Sequence, residues 1–305
     1  MSKKSDSKSE QLNLFTPAMG EITAAKDQID LMGYPFFSLS KKKRITPIEY
    51  DDGRVRVLVT GQEKHGIANI YDADILIYVA SKIMASQNKG TETSRKIRMS
   101  KYDILEFVGK GTSGREYKKL TESLERLQST SVSTTIQRED SRFKKRAMFS
   151  WINEWKAVER DGKPVAIEFE LSDWLYQGII EGKVLTLPKG YFRILGGLER
   201  FMYKICRKVV GNNNGVLQMK LSSIHSRSGI VQKPARFRKM IEKIVADQSI
   251  PDYWIFLEEN PNTNDMYVCG FSKKNYKTQE QAYKNISFIA LKELINNQGG
   301  FNGTI

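Results

Sequence analysis

Two histidines and two cysteines are all that 305 residues offer of the side chains that most readily hold a transition metal. His65 and His225 stand far apart, as do Cys206 and Cys269. With no paired ligand spacing, neither a disulfide framework nor a metal site is expected. Long apolar runs are also missing. Nothing approaches the roughly 18 residues of a membrane span, and the polar first residues lack the apolar run of a signal peptide. The expectation is a soluble cytoplasmic protein with no membrane partner. The third shortage is of acids: 35 Asp and Glu face 49 Lys and Arg, a net charge of +14. The first 30 residues hold four lysines and five acids, so the basic surplus belongs to the remainder. A field of that sign draws polyanions, either nucleic acid or an anionic membrane. A chain of this length buries a sizeable core and is expected to form two domains.

What is present is a repeat. Tyr117-Lys118-Lys119-Leu120-Thr121-Glu122-Ser123-Leu124 returns as Phe237-Arg238-Lys239-Met240-Ile241-Glu242-Lys243-Ile244, and the same offset of 120 residues pairs Gly109 with Gly229, Met99 with Met219 and Ile104 with Ile224. That period is too long for a solenoid and suits a small domain used twice. At 100° per residue, Tyr117, Leu120, Leu124 and Leu127 form one apolar stripe, with Arg115, Lys118, Lys119, Glu122 and Arg126 opposite. In the second copy Phe237, Met240, Ile241 and Ile244 face inward, leaving Arg238, Lys239, Glu242 and Lys243 toward solvent. One basic face is an ordinary solvated surface; two at equivalent positions in a basic chain point to nucleic acid.

The surrounding order predicts an α+β protein built from two winged-helix domains in tandem. Residues 1–30, rich in Ser, Lys and Gln, read as a disordered tail. Ile45–Tyr50 and Val55–Thr60 flank Asp51-Asp52-Gly53, a hairpin signal. Asp72 and Asp74 open an apolar helix, Ser100 and Asp103 start a second that ends at Gly109, and Ser113-Gly114-Arg115-Glu116 reads as a capping box for the basic third. Two helices joined by a short glycine turn are the helix-turn-helix signature. Alternation then sets in over Val132, Thr134, Ile136 and over Ala147, Phe149, Trp151. The basic segment Arg138–Arg146 between them reads as the tip of the wing, and Asp161-Gly162 turns a further hairpin. The second copy repeats the order, from a helix through Leu198, Phe201, Met202, Ile205 and Val209 to extended segments at Trp254–Leu257 and Met266–Phe271. The domains are placed at 31–175 and 188–275, with 176–187 as connector and 276–305 as a final helix and tail.

Several strings also resemble the plasmid replication initiator protein A family. They are Pro35-Phe36-Phe37-Ser38-Leu39-Ser40-Lys41-Lys42-Lys43-Arg44, Gly66-Ile67-Ala68-Asn69-Ile70-Tyr71-Asp72-Ala73-Asp74-Ile75-Leu76, Gly109-Lys110-Gly111-Thr112-Ser113, Leu127-Gln128-Ser129-Thr130 and Tyr191-Phe192-Arg193-Ile194-Leu195-Gly196-Gly197-Leu198-Glu199-Arg200. The resemblance spans roughly residues 30–275. It implies a bacterial plasmid initiator that binds repeated origin sites and needs no cofactor, and it carries over no catalytic residues. One departure is that Gln232-Lys233-Pro234 precedes the second basic helix, where the first copy has its capping box.

Enzymatic alternatives find little footing. Gly109-Lys110-Gly111-Thr112-Ser113-Gly114 satisfies G-x-G-x-x-G, but a helix precedes it where a dinucleotide site needs a strand. No glycine stands ahead of a Gly-Lys-Ser/Thr triplet as a P-loop requires. A nicking initiator would need closely spaced histidines beside its tyrosine. The Asp72/Asp74 pair is explained by helix capping, and Phe143 in the basic tip is as well read as a strand-end aromatic as a base-stacking one.

In the tail, Gln11-Leu12-Asn13-Leu14-Phe15 looks like the bacterial sliding-clamp peptide, with Gln11, Leu12, Leu14 and Phe15 as its contacts. The expected DNA-binding residues are Thr112, Ser113, Arg115, Lys118 and Lys119 in the first copy and Lys233, Arg236, Arg238 and Lys239 in the second. Lys41, Lys42, Lys43 and Arg44, with Arg142, Lys144, Lys145 and Arg146 on the wing, would hold backbone or minor groove. A host initiator, a replicative helicase and a second copy of the chain are further partners such a protein would meet. A transcriptional repressor of the same architecture is the alternative function, and a non-DNA scaffold with a basic surface is a third.

Overall fold

The computed structural model describes residues 22, 24–136, 146–160, 163–211 and 215–286. The chain divides into two compact units, Met1–Gly197 and Leu198–Ile305.

The first unit is centred on α1 (Ala73–Asn88), which is apolar nearly all round and buries residues on every face over its first three turns. Its start is set by a reciprocal pair. Asn69 Oδ1 accepts from the Tyr71 and Asp72 amides (2.9 and 3.2 Å), and Asp72 Oδ2 accepts from the Asn69 amide (2.8 Å). The amides bonded in this way precede α1, so the pair fixes the turn that enters the helix, and the Asp72 side chain, expected from the sequence as a cap, makes no cap bond to the helix's own amides. Strand β1 (Ala25–Gln28) lies against α1, its Lys26 amide donating to Ser81 Oγ at 2.7 Å. Residues 25–28, read in the sequence as tail, are therefore part of the fold. Their partner is β9 (Val184–Leu187), in antiparallel register from Ala25↔Leu187 to Gln28↔Val184. That strand falls within the segment read as a plain connector.

Strands β2 (Ile48–Asp51), β3 (Arg56–Gly61), β5 (Thr130–Thr134) and β6 (Ala147–Ser150) form one antiparallel sheet in that order. The register aligns Ile48, Val59, Val132 and Phe149 in one apolar row across it. A second sheet has the order β4 (Lys96–Met99), β8 (Lys163–Leu171), β7 (Ile152–Arg160). The segment through 138–146, taken in the sequence as the wing, thus joins β5 to β6 in the sheet with β2 and β3. The hairpin that completes the sheet containing β4 is β7–β8. Alternation fixes which face of a strand is buried but not which strand lies beside it. Trp151, fully buried between β6 and β7, stacks on Phe37 with ring centroids 4.8 Å apart at the point where the chain leaves one sheet for the other. Between β4 and β5 come α2 (Lys101–Phe107) and α3 (Gly114–Ser129), and α4 (Asp173–Ile180) follows β8.

The second unit runs α5 (Gly197–Val209), β10 (Leu217–Lys220), α6 (Leu221–Ser228), α7 (Pro234–Asp247), β11 (Tyr253–Glu259) and β12 (Met266–Ser272). Its sheet order is β10-β12-β11, with the strand ahead of the helix pair beside the last strand, as in β4-β8-β7. The repeat seen in the sequence is therefore a repeat of topology. Met99 and Met219 both lie opposite a β-branched residue of the last strand, Ile167 and Val268. Gly109 and Gly229 both take a left-handed φ, 70° and 64°, that a side chain would disfavour. The offset fails only after the basic helix, where the first unit inserts β5 and β6. A short α8 (Gln279–Tyr283) brings Ala282 against Phe256, Cys269 and Phe271. The rest of the C-terminal helix expected through Leu294 lies outside the described residues.

Candidate nucleic-acid interface

In the first unit Ser100 caps α2 by accepting the Asp103 amide at 3.3 Å. Gly109 then ends the helix, and Lys110, Gly111, Thr112, Ser113, Gly114 and Arg115 are all exposed on the way into α3. Leu120, Leu124 and Leu127 are buried beneath α3, as the stripe requires. The capping box is not formed. Ser113 stands at the N-cap without a side-chain hydrogen bond, and Glu116 turns instead to Lys119, Oε1 to Nζ 2.6 Å. That ion pair is local, and the cation it takes up is one the sequence assigned to DNA. It draws the Glu116 carboxyl below its ordinary range, the Lys119 hydrogen bond being the main cause. Arg115 and Lys118 are exposed and carry no ion pair among the described residues.

Arg126 belongs elsewhere. Helical spacing puts it on the basic face, yet its guanidinium bonds Asp72 with both Nε and a terminal nitrogen, at 2.8 Å each. The Asp72 side chain is 2 % exposed. The hydrogen bonds to Asp72 hold the guanidinium above its ordinary pKa, so this arginine is a structural tie between α3 and the start of α1.

In the second unit Phe237, Ile241 and Ile244 are buried and Arg236, Arg238, Lys239, Glu242 and Lys243 are exposed. Arg238 Nε lies 2.8 Å from Glu242 Oε1, one helical turn on. Lys233, Arg236 and Lys239 carry no ion pair among the described residues. Pro234 opens α7 at its first turn, where a missing amide costs nothing. The turn before it exposes Val231 and Gln232 as well as Lys233.

The Lys41–Arg44 segment is mostly committed to its own loop. The Lys41 ammonium sits 4.6 Å from the Tyr71 ring centroid, Lys43 Nζ donates to the Glu63 carbonyl at 3.1 Å, and Arg44 donates to the Thr46 and Pro47 carbonyls at 2.9 Å. Partial burial lowers the Arg44 pKa. Lys42 is exposed beside them. Arg146 bonds Ser133 Oγ across the β5–β6 pair. Arg142, Phe143, Lys144 and Lys145, and the tail residues Gln11, Leu12, Leu14 and Phe15, lie outside the described residues. His65 Nδ1 lies 3.4 Å from Glu125, whereas His225 stacks on Phe237 with ring centroids 4.4 Å apart. No group of three or more His, Cys, Asp or Glu side chains suited to a metal occurs among the described residues, nor does any described helix have the length and apolarity to cross a membrane.

Two α+β units, each presenting an exposed basic helix from the same place in the same topology, define a tandem protein with a cationic surface. The chain belongs to the replication initiator protein A family, whose model matches residues 26–255. A protein of Wigglesworthia glossinidia brevipalpis, named for a provisional role in replication, is 31% identical over 238 residues, 76% of this chain and 85% of the relative. Among solved structures, domains 2 and 3 of RctB superpose with a TM-score of 0.56 at 12% identity, covering 79% of this chain and 97% of that one. At that identity the likeness is one of fold. Family and relative together make this a protein of replication initiation.

Proposed function

We propose that the protein initiates replication by binding double-stranded DNA at repeated origin sites, each unit acting as a winged helix. The observation that carries the reading is the equivalence of α3 and α7. Both are long amphipathic helices, both follow a short helix and a left-handed glycine, and both leave arginine and lysine exposed over their first two turns. In this reading each lies along a major groove, the only duplex groove wide enough for a helix and the one in which all four base pairs differ. Arg115 and Arg236 offer forked donors suited to guanine, while Lys118, Lys239 and the Thr112–Ser113 turn meet phosphate. Lys119 and Arg238 can exchange their glutamates for phosphates at little cost, since exposed pairs of this kind are weak. The basic segment 138–146 adds a second band of backbone contacts, and Lys42 a further one. The Gln11–Phe15 peptide docks the polymerase sliding clamp.

The test is a titration of the full chain against duplexes carrying direct repeats of about 20 bp found beside its gene, a length that two domains one helical turn apart would cover. Shuffled duplexes serve as controls. Tighter binding to the repeats supports the reading, and equal binding to both removes sequence recognition from it.

A further inference from the structure

The turn between α6 and α7 holds an exposed apolar side chain beside the cations that open α7. Val231 is 74% exposed, while the apolar neighbours on α6 and α7, Ile224 and Phe237, are fully buried. It is not loose chain. The Ile230 amide donates to Ser228 Oγ at 3.1 Å, and the Ser228 hydroxyl donates to the His225 carbonyl at 2.6 Å. Ser228 itself is buried, and His225 stacks on Phe237 at 22°. On the far side the Arg236 and Phe237 amides both bond the Lys233 carbonyl, at 2.9 and 3.0 Å. A β-branched residue is thus held out into water by a braced turn. Exposing it forgoes the stabilisation that burial would give.

Its surroundings indicate what covers it. Residues 231–236 are all exposed, and Lys233 and Arg236 carry no ion pair among the described residues. An apolar partner protein would have to strip water from those cations without compensation, whereas a duplex supplies phosphates to them and one apolar group on its major-groove edge, the 5-methyl of thymine.

We propose that Val231 packs against a thymine 5-methyl group and makes the second unit selective for thymine at one position of its site. The proposal rests on the DNA-binding reading above and sharpens it. The equivalent position of the first unit is Gly111, which has no side chain to make such a contact, so the two units read their halves of a site by different chemistry.

The experiment uses the full chain and the duplex it selects from a random-sequence pool. Each thymine is replaced singly by deoxyuridine, which removes the methyl and leaves the hydrogen-bonding edge intact. Wild-type protein should lose roughly fourfold in affinity at one thymine, the value of one buried methyl group. Val231→Ala should bind the unmodified duplex more weakly by a similar factor and be indifferent to deoxyuridine at that position, and Val231→Ile should restore the sensitivity. Val231 is exposed, so neither substitution threatens the fold, and equal affinity of wild type and Val231→Ala for random duplex would check this. If the chain selects a sequence but no thymine methyl distinguishes wild type from Val231→Ala, the contact is refuted while the DNA-binding reading stands. If no sequence is selected, that reading fails instead.

Discussion

Arg126 lays its guanidinium along the carboxylate of Asp72, each of two nitrogens 2.8 Å from a different oxygen. The same carboxylate accepts the Asn69 amide, so one buried acid both fixes the turn into α1 and anchors α3, the helix that carries the basic face. Removing one partner of a buried pair leaves the other's charge uncompensated. Asp72→Ala should therefore lower the unfolding free energy by about 3 kcal/mol in urea denaturation. The double variant Asp72→Ala/Arg126→Leu should recover part of the loss. A single-variant change within about 0.5 kcal/mol, the range of ordinary surface substitutions, would mean the pair does not hold the helices together.

The same geometry separates arginines that look alike on a helical wheel. Arg115→Ala and Arg236→Ala should each relax base preference at a distinct position, by about 1–3 kcal/mol for a bidentate contact. Lys144→Ala should weaken all duplexes alike. Arg126→Leu should lower stability and leave base preference unchanged where the protein is still folded. Affinities measured on duplexes substituted one base pair at a time decide this; uniform losses for Arg115→Ala and Arg236→Ala would make them phosphate contacts.

Helices and their basic faces were legible because apolar period is a local property: Leu120, Leu124 and Leu127 announce α3 without knowledge of anything else. The partners were not. Asp72 meets Arg126 across 54 residues, and Lys26 reaches Thr186 Oγ1 across 160. Nothing in the composition of residues 25–28 marks them as a strand until β9 lies beside them. The alternation at 147–151 likewise identified β6 but not the sheet it joins. Ser113 and Glu116 have capping-box spacing, yet Lys119 one turn on offers the glutamate a charged partner. The exposure of Val231 was invisible because an apolar residue in a sequence is read as core.

Both cysteines sit in the second unit and serve as internal probes of it. Cys206 and Cys269 are buried, and burial pushes both thiols up, Cys269 to about 12. A thiol whose folded pKa is raised contributes stability below its unfolded value, near 8.5, and that contribution is lost as pH climbs toward the folded value. The native protein should resist labelling by a disulfide reagent at pH 8, release two thiols on unfolding, and lose stability above about pH 8.5. Rapid labelling under native conditions would place these side chains at the surface.

For the tail, Leu14→Ala with Phe15→Ala should abolish capture of the polymerase sliding clamp and leave duplex binding intact. The motif ends about ten residues ahead of the first strand in the sequence. Equal clamp recovery by wild type and variant would make the pentapeptide a coincidence of sequence.

The most direct test of the central claim is the salt dependence of binding to the repeat duplex. Two helices and the basic segment 138–146 on a chain of net charge +14 should displace counterions from about 6–10 phosphates. A plot of log affinity against log salt concentration should then fall with a slope of about −5 to −9. A slope shallower than about −2 would contradict groove binding by these faces, because so few displaced counterions cannot accompany two helices in a major groove.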